Sequence, residues 1–183
     1  MSAAYSTRSS FAMCASCPAE LNCCVRQRQA ELGQVEAPFV LHSEVAAIEA
    51  ASGIPAAAFS DSVYSPSGVR TSELRTVSNH CYFYRSGKCA VYSMRPLDCR
   101  LFPFDIVENS AKELWWIVYL DLCPKLFSYE DYFGDAKQTF VEAAWNLDEL
   151  RLLASHKSEV MAIHRHIFIE RVIPVAACVT VTV

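Results

Sequence analysis

The sequence predicts an α+β fold in which a small, irregular, cysteine-rich region with short strands packs against C-terminal helices. The chain has 183 residues, 52% of them hydrophobic and 20% charged, which suits one domain with a sizeable core. Short β-prone runs alternate with polar turns between Thr71 and Leu120, whereas the pattern after Pro124 is helical. We therefore expect a single domain over 1–183, with a cysteine-rich region at 14–123 and a helical part at 128–172.

Helix signals come first along the chain. Ser43 has the character of an N-cap before EVAAIEAAS, and Gly53 is placed as a C-terminal stop. Pro55 predicts the start of a second short helix that extends through Phe59. Residues 60–70 contain Ser, Pro and Gly and are expected to form a surface loop.

Strand signals follow from Thr71 onward. The runs LRTVS and CYFY are β-prone, and RSGK between Tyr84 and Cys89 predicts a turn. The run ELWWIVYL, Glu113 to Leu120, is dense in aromatic and β-branched residues and predicts a buried strand. Its expected partner is FDIV, Phe104 to Val107, joined to it through the polar turn ENSAK.

The C-terminal third is predicted to be mainly helical. Apolar residues recur there at i, i+3, i+4, i+7 and i+10, which predicts one helical face made of Phe140, Ala143, Ala144, Leu147 and Leu150. A further helix is predicted over Ser158 to Val172, and a terminal strand for the tail VAACVTVTV.

Charge and composition exclude several classes of function. The formal net charge of −4 lacks the basic footprint of a nucleic-acid binder. The uncharged stretch from Val172 to Val183 is too short to cross a bilayer as a helix, so no membrane partner is expected. No secretory signal is visible, and we expect a cytoplasmic protein. A Gly-rich phosphate loop and a G-x-S-x-G motif are both missing, which leaves nucleotide-dependent chemistry without support.

Nine cysteines are the unusual feature of the composition. In a reducing compartment, closely spaced cysteines are more often metal ligands or redox groups than disulfides. The Cys14-x-x-Cys17 spacing lets two thiolates enter one coordination sphere, as zinc and iron–sulfur sites require. Cys178, in an apolar tail, is expected to be a core residue. The candidate metal ligands are the other eight: Cys14, Cys17, Cys23, Cys24, Cys81, Cys89, Cys99 and Cys123.

The adjacent pair Cys23 and Cys24 affects how the eight candidate ligands can be divided between metal sites. Neighbouring side chains point in different directions in a strand or a helix, so the pair does not easily bind one metal. Either the two bind different metals, or one of them is not a ligand. Eight thiols would divide into two four-ligand sites, each suited to zinc or to an iron–sulfur cluster.

Arginines lie beside one of the candidate ligands, in the segment RPLDCRLFPF. A centre with four thiolates is anionic and needs nearby donors or cations. Arg95 and Arg100 flank Cys99 and are fixed in charge, so they suit sulfur ligands or an anionic group of a substrate. We assign Arg95 and Arg100 as candidate cofactor-binding residues.

The N-terminal cysteines, together with the segment CYFYRSGKCAVYSMRPLDCRLFPF from Cys81 to Phe104, resemble the CxxCxxCC family of zinc- or iron-chelating domains, the YkgJ-type cysteine cluster family. The second segment has the family's order of Cys, turn, Cys, aromatic, Arg-Pro, Cys-Arg and Phe-Pro. The interval PAELN before Cys23 is longer than the family's. The resemblance implies an iron–sulfur cluster or zinc as cofactor. It also implies an alternative, cluster-dependent methyl transfer, because flagellin lysine N-methylase has a similar cysteine cluster.

Three classes of function stay open on the sequence. A metal centre could act in electron transfer or substrate activation. A structural zinc module could instead hold the irregular first half together and present a surface to a protein partner. A reactive thiol is the third reading, with Cys99 between Asp98 and Arg100 as its candidate. The sequence does not decide whether the protein is an enzyme.

Overall fold

The structure is a computed structural model that describes residues 37–173, except for 79, 87, 121, 123–127, 144 and 163. The strands in this part of the chain are β1 (Phe39–Val40), β2 (Ser60–Tyr64), β3 (Arg70–Leu74), β4 (Thr76–Val77), β5 (His80–Cys81), β6 (Tyr84–Arg85), β7 (Lys88–Cys89), β8 (Phe104–Glu108), β9 (Leu114–Tyr119) and β10 (His166–Arg171). The α-helices are α1 (His42–Ser52), α2 (Ala56–Phe59), α3 (Leu97–Leu101), α4 (Glu130–Glu142) and α5 (Leu147–Val160). Helices with small antiparallel sheets make the fold α+β.

The larger core is built on a three-stranded antiparallel sheet in the order β10-β9-β8. Its β8–β9 hairpin confirms the predicted pairing of FDIV with ELWWIVYL, with Phe104 opposite Val118 and Glu108 opposite Leu114. Trp116 lies edge-on to an aromatic ring of α4, Phe133, at a centroid distance of 5.5 Å. Aromatic and β-branched residues thus form a strand here because they fill the space between the sheet and α4.

A smaller core lies between α1, α2 and the short hairpins. It contains Ile48 of α1, Phe59 of α2, and also Cys81 and Phe83. Gly53 ends α1 at a φ of 68°, as predicted, because this left-handed conformation is accessible to glycine at little cost. The predicted short helix from Pro55 through Phe59 is confirmed as α2.

Two predictions about this N-terminal part are wrong. The helix begins at His42 with Leu41 as its N-cap, so Ser43 lies inside it; the side chain of Glu44 accepts the Leu41 N–H at 3.1 Å. Part of the expected surface loop 60–70 is strand β2, which pairs with β3 in a second three-stranded sheet. The polar residues of β2 find backbone partners in β3, which the composition of the segment alone does not reveal.

Two predictions about the C-terminal third are also wrong. The single helical face from Phe140 to Leu150 is divided between α4 and α5, because the Asn146 side chain caps a new helix by accepting the Asp148 N–H at 2.8 Å. Of the predicted helix over Ser158 to Val172, only the part up to Val160 is helical, and His166–Arg171 form strand β10, which pairs with β9. The terminal strand predicted for the tail lies outside the described residues.

No helix in the described ranges is both long enough and apolar enough to cross a membrane.

Candidate metal centre

Two consecutive β-hairpins carry two of the predicted ligands. The first hairpin, β4–β5, places Cys81 opposite Thr76, and the second, β6–β7, places Cys89 opposite Tyr84. Each cysteine is the last residue of a two-residue strand. The structure therefore presents both thiols from the same position of the same supersecondary unit.

The repetition extends to the turns and the closing hydrogen bonds. Ser78 and Ser86, at equivalent positions of the two turns, both have a φ of 50°. The backbone N–H after each cysteine closes its hairpin: Tyr82 donates to the Arg75 carbonyl at 2.9 Å, and Ala90 donates to the Phe83 carbonyl at 2.8 Å. The same hairpin thus occurs twice in succession, over residues 75–82 and 83–90. The sequence analysis did not find this repeat.

Backbone N–H groups act on both sulfurs. Burial raises the pKa of Cys81, whereas the N–H groups of Phe83 and Tyr84 lower it. Burial likewise raises the pKa of Cys89, and the Val91 N–H lowers it. In both hairpins the donors come from the second residue after the cysteine, and in the first hairpin also from the third. Such donors favour the thiolate form, which is the form that binds metal.

Arg95 lies close enough to Cys89 to lower the pKa of that thiol. Its guanidinium stacks over the Tyr92 ring at 3.8 Å, and its Nε donates to the Tyr92 carbonyl at 3.1 Å. Tyr92 begins the short 3-10 helix directly after the second hairpin. Local structure therefore holds a fixed cation beside one of the candidate ligands.

Cys99 is presented differently, from the middle of the short helix α3. The next residue, Arg100, places its guanidinium 3.6 Å from the buried Glu44 carboxylate. Glu44 also accepts the Leu97 N–H at 2.7 Å, at the start of α3. The Arg100 Nε is buried and has no hydrogen-bond partner among the described residues. Glu44 thus ties the helix that carries Cys99 to α1.

A second buried contact holds α3 in place, and it comes from a residue that follows α3 in the chain. Lys157 of α5 is only 3% exposed, and its ammonium pairs with Asp98 of α3 at 2.5 Å and with Asp105 of β8. Burial lowers the pKa of Lys157, but the two carboxylates outweigh this effect and raise it. Tyr119 donates to the second oxygen of Asp105 at 3.1 Å.

Comparison with protein-family models identifies the family. The CxxCxxCC model, whose description proposes chelation of zinc or iron, matches residues 13–123, more than half of the chain. The chain belongs to the CxxCxxCC family. This confirms the resemblance drawn from the cysteine spacing. Searches of curated proteins and of solved structures found no match.

The described residues hold only part of the ligand set that CxxCxxCC membership suggests. No disulfide joins Cys81, Cys89 and Cys99 to one another. Nowhere in the described ranges do three His, Cys, Asp or Glu side chains meet in a group that could hold a metal ion. The remaining predicted ligands lie outside the described residues: Cys14, Cys17, Cys23, Cys24 and Cys123.

The donors that are described fit a thiophilic cation such as zinc or iron. Cys81 and Cys89 are near enough that the second raises the pKa of the first. Both have backbone N–H groups directed at sulfur, and Arg95 supplies a cation. Soft thiolate ligands with such donors around them suit zinc and iron–sulfur centres rather than magnesium or calcium.

Sequence analysis missed Glu44 and Lys157 as parts of this region. Both carried a signal, since each is a charged residue on an otherwise apolar helical face. Glu44 precedes Ile48 by four positions in α1, and Lys157 follows Leu153 by four in α5. A charge on a buried face indicates a buried partner, although the sequence does not say which one.

An open groove of about 480 Å³ is lined by residues of β8, β9, β10 and α5. Its lining includes Trp115 and Phe168 of the sheet and Lys157 of α5. Two of its charged side chains have partners already, because Lys157 binds two aspartates and Glu108 binds Lys112 at 2.8 Å. Of the predicted ligands that the structure describes, Cys81, Cys89 and Cys99, none lines the groove.

Proposed function

We propose that the protein binds zinc or iron through cysteine thiolates, with Cys81 and Cys89 acting as a pair. The observation that carries this proposal is the repetition of one hairpin, each copy ending in a cysteine with backbone N–H groups directed at its sulfur. If Cys81 and Cys89 were only apolar core residues, N–H donors at both sulfurs would not be needed. The other proposed ligands are Cys14, Cys17, Cys23, Cys24, Cys99 and Cys123.

The thiols of the metal-free protein hold their protons at neutral pH. Burial raises the pKa of both Cys81 and Cys89, so both protons leave when metal binds. Negative charge then accumulates on the sulfurs. The N–H groups of Phe83 and Val91 stabilise it, and so does the Arg95 guanidinium. Metal affinity should therefore fall as the solution becomes more acidic.

Metal analysis of anaerobically purified protein tests this proposal. An iron–sulfur centre should give a brown protein with bound iron and sulfide, whereas zinc should give a colourless protein with stoichiometric zinc. Cys81→Ser and Cys89→Ser should each lower the metal content. Cys178→Ser is the matched control and should retain it. A wild-type protein without bound zinc or iron, or equal metal contents in all three variants, would contradict the proposal.

A structural role for the metal is the second candidate. The strands of both hairpins have only two residues each, and such short hairpins are barely stable alone in water. Bound metal would hold them in place, as in other small domains that fold with their metal. A strong chelator should then lower the thermal midpoint. If the midpoint and the circular dichroism stay unchanged while metal is removed, the metal serves chemistry rather than folding.

A further inference from the structure

We propose that Lys157 is a positioning residue for Cys99, acting through Asp98. This inference rests on the proposed metal-binding function and extends it to a helix beyond the matched family segment, since residue 157 lies after residue 123. Its basis is the way in which contacts with other elements hold α3 in place.

Helix α3 cannot hold its own position. It has five residues, Leu97–Leu101, and isolated helices of this length are not stable in water. Its place must therefore come from tertiary contacts. It packs on α4, β1 and β8, and its polar groups find partners on three other elements.

Asp98 is the most firmly held residue of this helix. One carboxylate oxygen accepts from the Lys157 ammonium at 2.5 Å, and the other accepts from the Phe39 N–H of β1 at 2.9 Å. Cys99 follows it directly in the chain. A displacement of Asp98 would therefore be transmitted to the Cys99 sulfur.

Metal ligation tolerates little displacement. Metal–sulfur distances in protein sites vary by only about 0.2 Å, and residues that support the ligands typically contribute about 10–100-fold in metal affinity. Lys157 is suited to this task because it is itself fixed, with a second buried carboxylate, Asp105, on its other side. The ammonium thus links Asp105 of strand β8 to Asp98 of helix α3.

The two aspartates offer a matched pair of variants. Asp98→Asn removes the anchor of α3, whereas Asp105→Asn removes the same charge but leaves the Lys157–Asp98 contact. Each variant keeps one carboxylate for the lysine, so both should fold; circular dichroism verifies this. Lys157→Arg keeps the cation and serves as the conservative variant.

Titration of the metal-free full chain with Co²⁺ measures the effect, because thiolate-to-Co²⁺ charge-transfer absorption reports the sulfur ligands. We expect Asp98→Asn to lower the Co²⁺ affinity about 10-fold or more and to weaken the absorption per bound ion. Asp105→Asn should remain within about 3-fold of wild type with an unchanged spectrum, below the range expected for a supporting residue. Lys157→Arg should retain the wild-type spectrum.

Where the wild type binds Co²⁺, three outcomes would overturn this inference alone. Equal losses in both asparagine variants would mean that the network acts only on general stability. Wild-type affinity in Asp98→Asn would mean that α3 needs no anchor. Tighter binding in Asp98→Asn would mean that the aspartate acts by its negative charge beside the thiolate. If the wild type itself binds no Co²⁺, the proposed metal-binding function fails, and this inference with it.

Discussion

Cys81 and Cys89 each end a two-residue strand of a hairpin, whereas Cys99 lies in the middle of a five-residue helix. The hairpin thiols are surrounded by donors from within three residues of themselves. The Cys99 helix is held instead by Glu44, 53 residues before Leu97, and by Lys157, 59 residues after Asp98.

The difference separates two ways of placing a thiol. A hairpin orients its cysteine by local backbone geometry, so the donors at the sulfur come from residues next to it in the chain. A helix anchored by buried ion pairs depends on distant residues and on their protonation. The two regions should therefore respond to different perturbations.

Removal of the lysine should have the largest effect on stability. Lys157→Met leaves Asp98 and Asp105 buried without their cation, and breaking a buried pair in this way typically costs about 3–5 kcal/mol of unfolding free energy. Urea unfolding of the variant and the wild type, in the same metal state, measures the loss.

A triple variant provides the control for this prediction. Combining Lys157→Met with Asp98→Asn and Asp105→Asn removes all three charges at once, and such neutral replacements are often close to neutral in stability. Most of the lost stability should return. A triple variant as unstable as the single one would show that the lysine contributes by its packing rather than by its charge.

The pH dependence of stability should distinguish the Cys99 helix and its buried ion pairs from the two hairpins. Burial raises the pKa of Asp105 from 3.8 to about 6, with Lys157 opposing the shift and Asp98 adding to it. Between these pH values the folded state binds a proton that the unfolded state has lost. This contribution to the unfolding free energy is therefore present below about pH 4 and disappears as the pH rises through about 6.

Asp105→Asn removes this contribution, so the difference between wild type and variant should change across the window. Urea unfolding of metal-free protein at several pH values measures it. The hairpin thiols do not titrate here, because the pKa values of Cys81 and Cys89 are raised above 9. A constant difference across the window would contradict the prediction.

Glu44→Gln should have an intermediate effect. The carboxylate accepts the Leu41 and Leu97 N–H groups with its two oxygens and faces Arg100. An amide can accept only at its oxygen, so one buried N–H loses its acceptor and Arg100 loses its anion, which costs about 1–3 kcal/mol. Thermal or urea unfolding measures the change.

Glu49→Gln is the matched control on the same helix. Its carboxylate accepts the Ala56 N–H at 2.8 Å in an exposed position, where water can replace it. We expect a change within about 0.5 kcal/mol, as is usual for surface substitutions. If Glu49→Gln costs as much as Glu44→Gln, burial at α3 is not what makes Glu44 important.

Local signals in the sequence were sufficient for the turn before Cys89 and for the central strands. RSGK predicts the turn before Cys89, and the aromatic run ELWWIVYL predicts β9 together with its partner β8. The reason is that turn residues and buried strands depend mainly on near neighbours and on one apolar surface.

Contacts between residues that are far apart in the chain could not be predicted from the sequence. His166–Arg171 form strand β10 because the edge of β9 is available to them, and periodicity does not report a free sheet edge. The contacts of Lys157 with Asp98 and Asp105 cross more than 50 residues of chain. Even the repeat of the hairpins was hidden, because residues 75–82 and 83–90 share only the serine and the cysteine at equivalent positions.

The smallest effect concerns the hairpins alone. Ser78 and Ser86 both have a φ of 50°, a left-handed conformation that costs L-residues about 1–2 kcal/mol but is open to glycine. Glycine also gains freedom in the unfolded chain, so Ser78→Gly and Ser86→Gly should each stabilise the protein by only several tenths of a kcal/mol. Ser→Ala at the same positions keeps the strain and controls for loss of the hydroxyl group. Because the two turns share one geometry, thermal unfolding should show gains of the same sign and similar size. Opposite signs would mean that the hairpins are alike in outline but differ in how their turns are held.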